Sequence, residues 1–467
     1  MLRRYALILC FLSLPVFAGF FDWFSSSEDK SSPATESSAQ DDKKTATDEV
    51  TEQLKEEENF VFEMNTGVRP WRAPQYQNQE GALGYNSKVF EVPEGLRPKV
   101  NFWKDVYAKY TTHQGVIHDA ENVHIVFESV DFKSINKDET LNSRQKFKAR
   151  EKLVKEAKKR AQALLLKLDE TKDPSTLTPE EKKFYDAYAF DSDKDKFKEA
   201  ASDKRIRFQL GQKDRFAAGI YMSGRYLEQM EKIFQERGLP MELTRLPFVE
   251  SSFNIMARSK VGASGIWQIM RYTGRPFLKM DQIIDKRNHP IEATKLATRL
   301  LSHNFEMLES WPLAITGYNH GPTGVLKLVN TYKTRDIVEL VDSNVTRKRF
   351  GFASRNFYAC FLAALEVERN APVHFGEKVA WSLPLKGKEV SLPVSVSYND
   401  IVKWFDGNDD QAQIYNPHIT GLARKKGRLI QKGTLVNLPE EKADKVLTQL
   451  SQGNGSKGKA DAFAQSL

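Results

Sequence analysis

The sequence predicts a mainly α fold, with a helical N-terminal region, a helical central block and a small α+β C-terminal domain. Three observations carry this. Residues 144–168, RQKFKAREKLVKEAKKRAQALLLKL, consist almost wholly of strong helix formers. The block from Asp214 to Asn370 repeats apolar residues at helical spacing. The pattern is clearest in Ala293, Leu296, Ala297, Leu300, Leu301 and Leu308. After Pro372 the pattern changes to short strand-like runs, VSLPVSVS and RLIQKGTLVNLP, around a short helix. A chain of 467 residues, 40% of them hydrophobic, can bury cores for about three folded units. Its two cysteines exclude a disulfide framework and a Cys-rich zinc module.

Taken in order, residues 1–18 read as a signal peptide. Arg3 and Arg4 precede an apolar run from Tyr5 to Phe17, and Val16-Phe17-Ala18 supplies small residues for cleavage. Thirteen apolar residues are too few to span about 30 Å of hydrocarbon. Cys10 follows bulky Leu9 and lies too early in the chain for a lipidation site. The expected location is therefore periplasmic, with no transmembrane helix in the mature chain. Residues 19–60 read as a disordered acidic tether; from position 22 to 60 there are 12 acids and four lysines. Residues 61–213 form the N-terminal region. Within it NFWKDVYAKYTT is helix-like, HIVFESVDF is strand-like, and Thr178-Pro179-Glu180-Glu181 is a helix start. The central block spans 214–370. The small C-terminal domain spans 371–445, and 446–467 reads as a disordered tail.

Charge is uneven along this plan. Lys plus Arg number 70 against 62 Asp plus Glu, a net of +8. The helix at 144–168 carries ten basic and two acidic residues, which suits either a patch for an anionic partner or a solvated face. The central block has 22 basic and 16 acidic residues.

Chemistry becomes visible at GLPMELTRLPFVESSFNIMARSKVGASGIWQIM, residues 238–270. A helix from about Pro240 to Ser251 places Glu250 in its last turn, beside Phe248 and Val249. The negative end of the helix dipole and apolar neighbours both disfavour a charged carboxyl. Such a group stays protonated near neutrality and can act as a general acid. The same position also suits an ordinary helix-end glutamate. No Asp or Glu occurs between Ser251 and Met280, so no local pair of carboxylates exists. Gly262-Ala263-Ser264-Gly265 is a turn before a short helix, IWQIM, whose Trp267 and Gln268 suit either a core or a sugar-binding face. WPLAITGYNHGPTGV, residues 311–325, ends a helix with Tyr318 and Asn319, which can close the terminus or line a cleft.

Glu250-Ser251-Ser252-Phe253, then GASGIWQIM, then GYNHGPTGV, together resemble the motif series of lytic transglycosylases of the soluble, goose-lysozyme-like type. The likeness is nearest to the membrane-bound lytic murein transglycosylase D subgroup. It implies a lysozyme-like helical catalytic domain over 214–370. It also implies Glu250 as the sole catalytic acid/base, cleaving peptidoglycan between N-acetylmuramic acid and N-acetylglucosamine with closure of a 1,6-anhydro ring. Ser251, Ser252, Gly262, Gln268, Met270, Tyr318 and Asn319 are then the implied substrate-binding residues. His320 stands where the family usually has Ala and is read as solvent-facing or as a changed subsite contact. Asn288-His289-Pro290 lacks the usual Asp cap. Residues 371–445 resemble a degenerate LysM-like module; a plain packing domain is the other reading.

The implied partner is the glycan strand of peptidoglycan, whose carboxylates suit the basic central block better than nucleic acid does. Interaction with other cell-wall proteins stays open. The eight histidines form no close pair with a supporting acid, so neither metal nor cofactor is expected. Two competing readings are a hydrolytic muramidase or chitinase on the same fold, and a non-catalytic peptidoglycan-binding scaffold.

Overall fold

The computed structural model describes residues 53–54, 67–74, 76–77, 85–86, 88–342, 350–425 and 427–452. The signal peptide, most of the tether and the last 15 residues lie outside them. The described chain is mainly helical, with small sheets.

The chain enters through β1 (Val68–Pro70) and then α1 (Arg97–Ala108). Three strands follow the order β3-β2-β4: β2 (Gln114–Asp119), β3 (Val126–Asp131) and, later, β4 (Ile206–Leu210), all antiparallel. Between β3 and β4 run α2 (Ser143–Glu170) and α3 (Pro179–Ala187). The N-terminal region is thus helical with a three-stranded sheet.

Asn142 opens α2 with a capping box, its side chain accepting from the Gln145 amide. Val154, Ala157, Ala161, Leu165 and Leu168 form the buried stripe of α2 against the sheet, and its lysines 148, 152, 155 and 159 stay exposed. Thr178 caps α3 in the same way with Glu181. Gln53 and Leu54, placed in the acidic tether by sequence, are packed here instead. Leu54 is fully buried, and the Gln53 amide exchanges hydrogen bonds with Phe208 O (2.9 Å) and Leu210 N (2.7 Å). A strand with open backbone groups accounts for this: Gln53 satisfies them.

The central block holds α4 (Lys213–Ser223), α5 (Leu227–Glu236), α6 (Leu246–Ser251), α7 (Pro290–Leu308), α8 (Trp311–His320), α9 (Pro322–Tyr332) and α10 (Phe352–Arg369). α10 is its spine. Phe357, Phe361, Leu362 and Leu365 are all buried, each contributing roughly 1.5–3 kcal/mol. α1 packs along α10, and Val100, Trp103, Val106 and Tyr107 belong to the central core. The catalytic block foreseen at 214–370 therefore includes a helix that precedes it by about a hundred positions.

β5 (Ala380–Ser382) pairs with β1, joining the lead-in of the N-terminal region to the segment that follows α10. The C-terminal unit then runs β6 (Gly387–Ser391), α11 (Tyr398–Trp404), α12 (Asp409–Tyr415), β7 (Leu435–Pro439) and α13 (Glu440–Gln452). β6 and β7 are antiparallel neighbours. α13 continues past position 445, and its Val446 and Leu450 are buried in this unit's core, so the structured part extends beyond the boundary read from sequence.

Candidate active site

α6 is short and sharply stopped. Pro247 sits in its first turn, and the stretch from Met241 to Arg245, expected to be α-helix, is a 3-10 turn. Ser252 and Phe253 both adopt left-handed backbone, with φ of 50° and 57°. Such strain at non-glycine residues costs of order 1–3 kcal/mol each and persists only where packing demands it. Here Phe253 is buried edge-on to Phe248 at 4.7 Å, and the Ser252 carbonyl lies where only a glycine, Gly219, leaves room.

Glu250 occupies the last turn of α6, half-buried. Enclosure by protein alone pushes its carboxyl from 4.5 up to about 8, and no neighbouring charge contributes. It is thus protonated at neutral pH. Among the described residues it has no hydrogen-bond or ion-pair partner.

The next segment folds back over α6. IWQIM is not a helix: Ser264 bridges to both Arg258 and Ile269, and Gln268 takes a φ of 43°. The Gln268 amide donates to Gly265 O (2.8 Å) and Ala257 O (3.2 Å), so it closes the turn. Trp267 is core, stacked on Phe234 and donating to Thr294 Oγ1 at 2.9 Å. Ser251 Oγ donates to Ile266 O at 3.0 Å, joining α6 to this segment. Tyr318, in the last turn of α8, donates its hydroxyl to Trp267 O at 2.9 Å. Burial and the Glu250 charge hold that phenol well above 10.

A loop before α7 braces the turn from below. Ser264 Oγ donates to Asn288 Oδ1 at 2.6 Å. Arg287 donates to Gly262 O (2.7 Å) and Ile269 O (3.0 Å) and pairs with Asp285 at 2.7 Å. His289 caps α7, where the sequence lacks an Asp, its Nδ1 accepting from Glu292 N at 3.4 Å.

The sequence-derived residues separate into roles. Glu250, Ser251, Gln268 and Tyr318 form one linked constellation. Asn319 is half-buried and accepts from Ser354 on α10 at 2.8 Å. Met270 is half-buried beside the turn, Gly262 is at its exposed tip, and Ser252 is buried in the reversal. His320 does not face solvent: it is buried, 3.2 Å from Ser354 Oγ and edge-on to Phe350 at 5.0 Å, with its pKa held down at about 4 by burial. One further group of α1 and one of α10 lie outside every motif, Tyr107 and Cys360; burial above all, and in smaller part the Cys360 thiol and the Glu250 charge, hold the Tyr107 phenol well above 10.

Residues 229–341 match the family Transglycosylase SLT domain. The chain carries an SLT domain. A stretch of 103 residues is 38% identical to membrane-bound lytic murein transglycosylase D of Escherichia coli strain K12. The protein of the same name from Escherichia coli O6:H1 gives the same identity over the same length. Each alignment covers 22% of this chain and 23% of the relative, so the match spans about a quarter of those proteins. The SLT match contains Glu250, the glycine turn, Tyr318 and Asn319. It leaves out α1, α4 and α10, of which α10 packs on α6 and α4 stacks its Phe216 on Phe248 of α6. Among the described residues no group of three or more His, Cys, Asp or Glu could hold a metal ion.

Proposed function

We propose that this protein is an exported lytic transglycosylase acting on peptidoglycan with Glu250 as its only acid/base. The carrying observation is that enclosure alone keeps the Glu250 carboxyl protonated at neutral pH, with no second carboxylate acting on it. Hydrolytic glycosidases commonly use two carboxyl groups at a set separation. A lone protonated acid instead suits a reaction in which the substrate provides the nucleophile. Glu250 gives its proton to the leaving oxygen as the β-1,4 bond between N-acetylmuramic acid and N-acetylglucosamine breaks. The muramic acetamido group assists at the anomeric carbon. The Glu250 carboxylate then takes the proton of the muramic 6-hydroxyl as its oxygen bonds to that carbon, closing a 1,6-anhydro ring and restoring the acid.

The SLT match supports this reading, and so does the basic balance of the central block toward a polymer bearing carboxylates. No helix among the described residues is long and apolar enough to cross a membrane. The proposed location is the periplasm or cell envelope. Ser251, Gln268 and Tyr318 spend hydrogen bonds on backbone, so in this reading they shape the cleft. Met270 and Asn319 are the proposed direct substrate contacts, with Gly262 and Ser252 setting backbone there. In the LysM-like reading the C-terminal unit, whose two antiparallel strands flank three helices and are followed by α13, would grip glycan.

Mass spectrometry of purified peptidoglycan after digestion tests the reaction. Products lighter by one water than hydrolysis products, absent with Glu250→Gln, are expected. Reducing-end products would replace this reading with a hydrolase, and binding without release would leave a scaffold.

A further inference from the structure

We infer that Ser354 and His320 are positioning residues for Asn319, holding its amide oxygen inward and leaving its NH2 group to meet an acetamido carbonyl of the glycan. The inference rests on the reading of Asn319 as a direct substrate contact. It gives α10, which lies outside the SLT match, a part in how the substrate is read.

The three side chains are joined in series by hydrogen bonds. Ser354 Oγ donates to Asn319 Oδ1 at 2.8 Å, and His320 Nδ1 lies 3.2 Å from the same Oγ. A hydroxyl has one proton to give. Spent on Asn319, it leaves Oγ an acceptor toward His320, so the imidazole proton sits on Nδ1. Burial holds His320 down at about 4, so at neutral pH the ring is uncharged and carries a single N–H. Its Nε2 is then a bare nitrogen lying beside Gly324, where a Cβ would come within 3.1 Å of it. Among the described residues Nδ2 of Asn319 has no hydrogen-bond partner, and the side chain is half-buried.

Packing fixes the two partners and leaves the amide to be oriented. His320 and Ser354 are 3% and 4% exposed. The imidazole is edge-on to Phe350 at 5.0 Å, and a Cβ on Gly324 would lie 2.8 Å from its Cδ2. Ser354 stands in the first turn of α10, two positions before Asn356, which accepts from Trp103 at 3.2 Å. Tyr318, next to Asn319, is tied to Trp267 O at 2.9 Å, so the last turn of α8 is anchored as well. The two ends of an amide are alike in shape and opposite in chemistry, since one accepts and the other donates. The Ser354 proton, directed by His320, sets which end faces outward. An outward NH2 group meets a carbonyl oxygen. An outward oxygen would accept instead from an ammonium group, so the orientation favours an N-acetylated sugar over its free amine. No covalent bond changes and no proton is transferred.

The test measures binding by calorimetry in the full chain carrying Glu250→Gln, so that no probe is consumed. The probes are the N-acetylglucosamine tetramer and the same tetramer without its acetyl groups. Ser354→Ala and His320→Ala should each weaken binding of the acetylated tetramer about three- to tenfold, the loss of one neutral hydrogen bond. Each should also narrow its advantage over the free amine. Ser354→Thr, which keeps the hydroxyl, should retain both. Added to Asn319→Ala, neither substitution should weaken binding further, because no amide remains to be positioned. A further loss in that background would make the two residues structural and overturn the inference. Long-range proton–nitrogen NMR of the unsubstituted protein should find the His320 proton on Nδ1; a proton on Nε2 would overturn the inference without any variant. Protein with the Nδ1 proton that binds neither tetramer would overturn the proposed function and leave the orientation of Asn319 standing.

Discussion

Arg245 and Glu368 meet in a two-pronged ion pair, at 2.9 Å through Nε and 3.0 Å through Nη2, with about 1% of either side chain exposed. Arg245 closes the turn that feeds α6, and Glu368 lies near the end of α10, so the pair roots the Glu250 helix on the spine of the block. Glu231 completes the guanidinium from the edge at 2.5 Å. Removing one partner of a buried pair strands the other charge, which typically costs about 3–5 kcal/mol. Glu368→Ala should lose that much in urea denaturation and lower activity with it. A loss below about 1 kcal/mol would mean that Glu231 and Thr244, whose Oγ1 accepts from Arg245 Nη1 at 2.8 Å, suffice to hold Arg245.

The Glu250 carboxyl makes stability depend on pH in a definite direction. Its folded value, about 8, is above the ordinary 4.5, so the folded state keeps a proton that the unfolded state loses. The stabilising contribution is complete below about 4.5 and is lost as pH rises through about 8. Glu250→Gln stays neutral throughout. Its melting temperature relative to wild type should therefore rise steadily from pH 5 to pH 8.5. A constant difference across that range would contradict the enclosed carboxyl. The wild-type rate should likewise decline above about pH 8, as the acid form disappears.

Gly265 has a φ of 78°, and a Cβ built on it would lie 2.1 Å from the Arg287 carbonyl oxygen. Both the backbone conformation and the space exclude a side chain. Gly265→Ala must push the turn off the loop that carries Arg287 and Asn288, breaking the Ser264–Asn288 bond. Activity should fall by at least about tenfold, a loss typical of misplaced catalytic groups, and thermal stability should drop. Gly262→Ala should be milder, since a Cβ there meets nothing within 4 Å and only its φ of 92° opposes it. Equal effects from the two would show that backbone strain, not contact with Arg287, sets the requirement.

Much of this site could be read from the chain because its parts are local. Glu250, the glycine turn and Tyr318 each sit in short motifs whose residue types carry the chemistry. What could not be read was tertiary. Tyr107 feels the Glu250 charge only because α1 packs into the core of the central block, and nothing in NFWKDVYAKY marks that packing. IWQIM has an apolar helical pattern, yet Gln268 and the Ser264–Ile269 bridge hold it as a turn, since closing the loop satisfies more backbone than one helical turn would. β2 was missed for another reason. Its His118 and Asp119 break the apolar alternation of a strand, and they are tolerated because Asp119 is buried with Arg205 and accepts from Tyr188 at 2.8 Å. His320 looked like a surface substitution; Ser354 and Phe350, distant in sequence, give it a buried niche.

The loop that braces the glycine turn is itself held by the C-terminal unit, and this links two parts of the chain in a testable way. Ile284, 1% exposed, belongs to the core of that unit and bridges to Ile419. Asp285 N donates to His418 O at 2.8 Å and Thr420 N donates to Ile283 O at 2.9 Å. Three positions beyond Ile284, Arg287 holds the carbonyls of Gly262 and Ile269. Ile284→Asp places a carboxylate in an apolar core, a substitution costing several kcal/mol, and should release the unit from the loop. Faster proteolysis within 383–452 is expected, together with reduced turnover, because Arg287 loses its anchored backbone. Ile284→Val removes one methylene and should cost about 0.5–1.5 kcal/mol with turnover nearly intact. If Ile284→Asp leaves both the proteolysis rate and turnover unchanged, the C-terminal unit does not brace the turn.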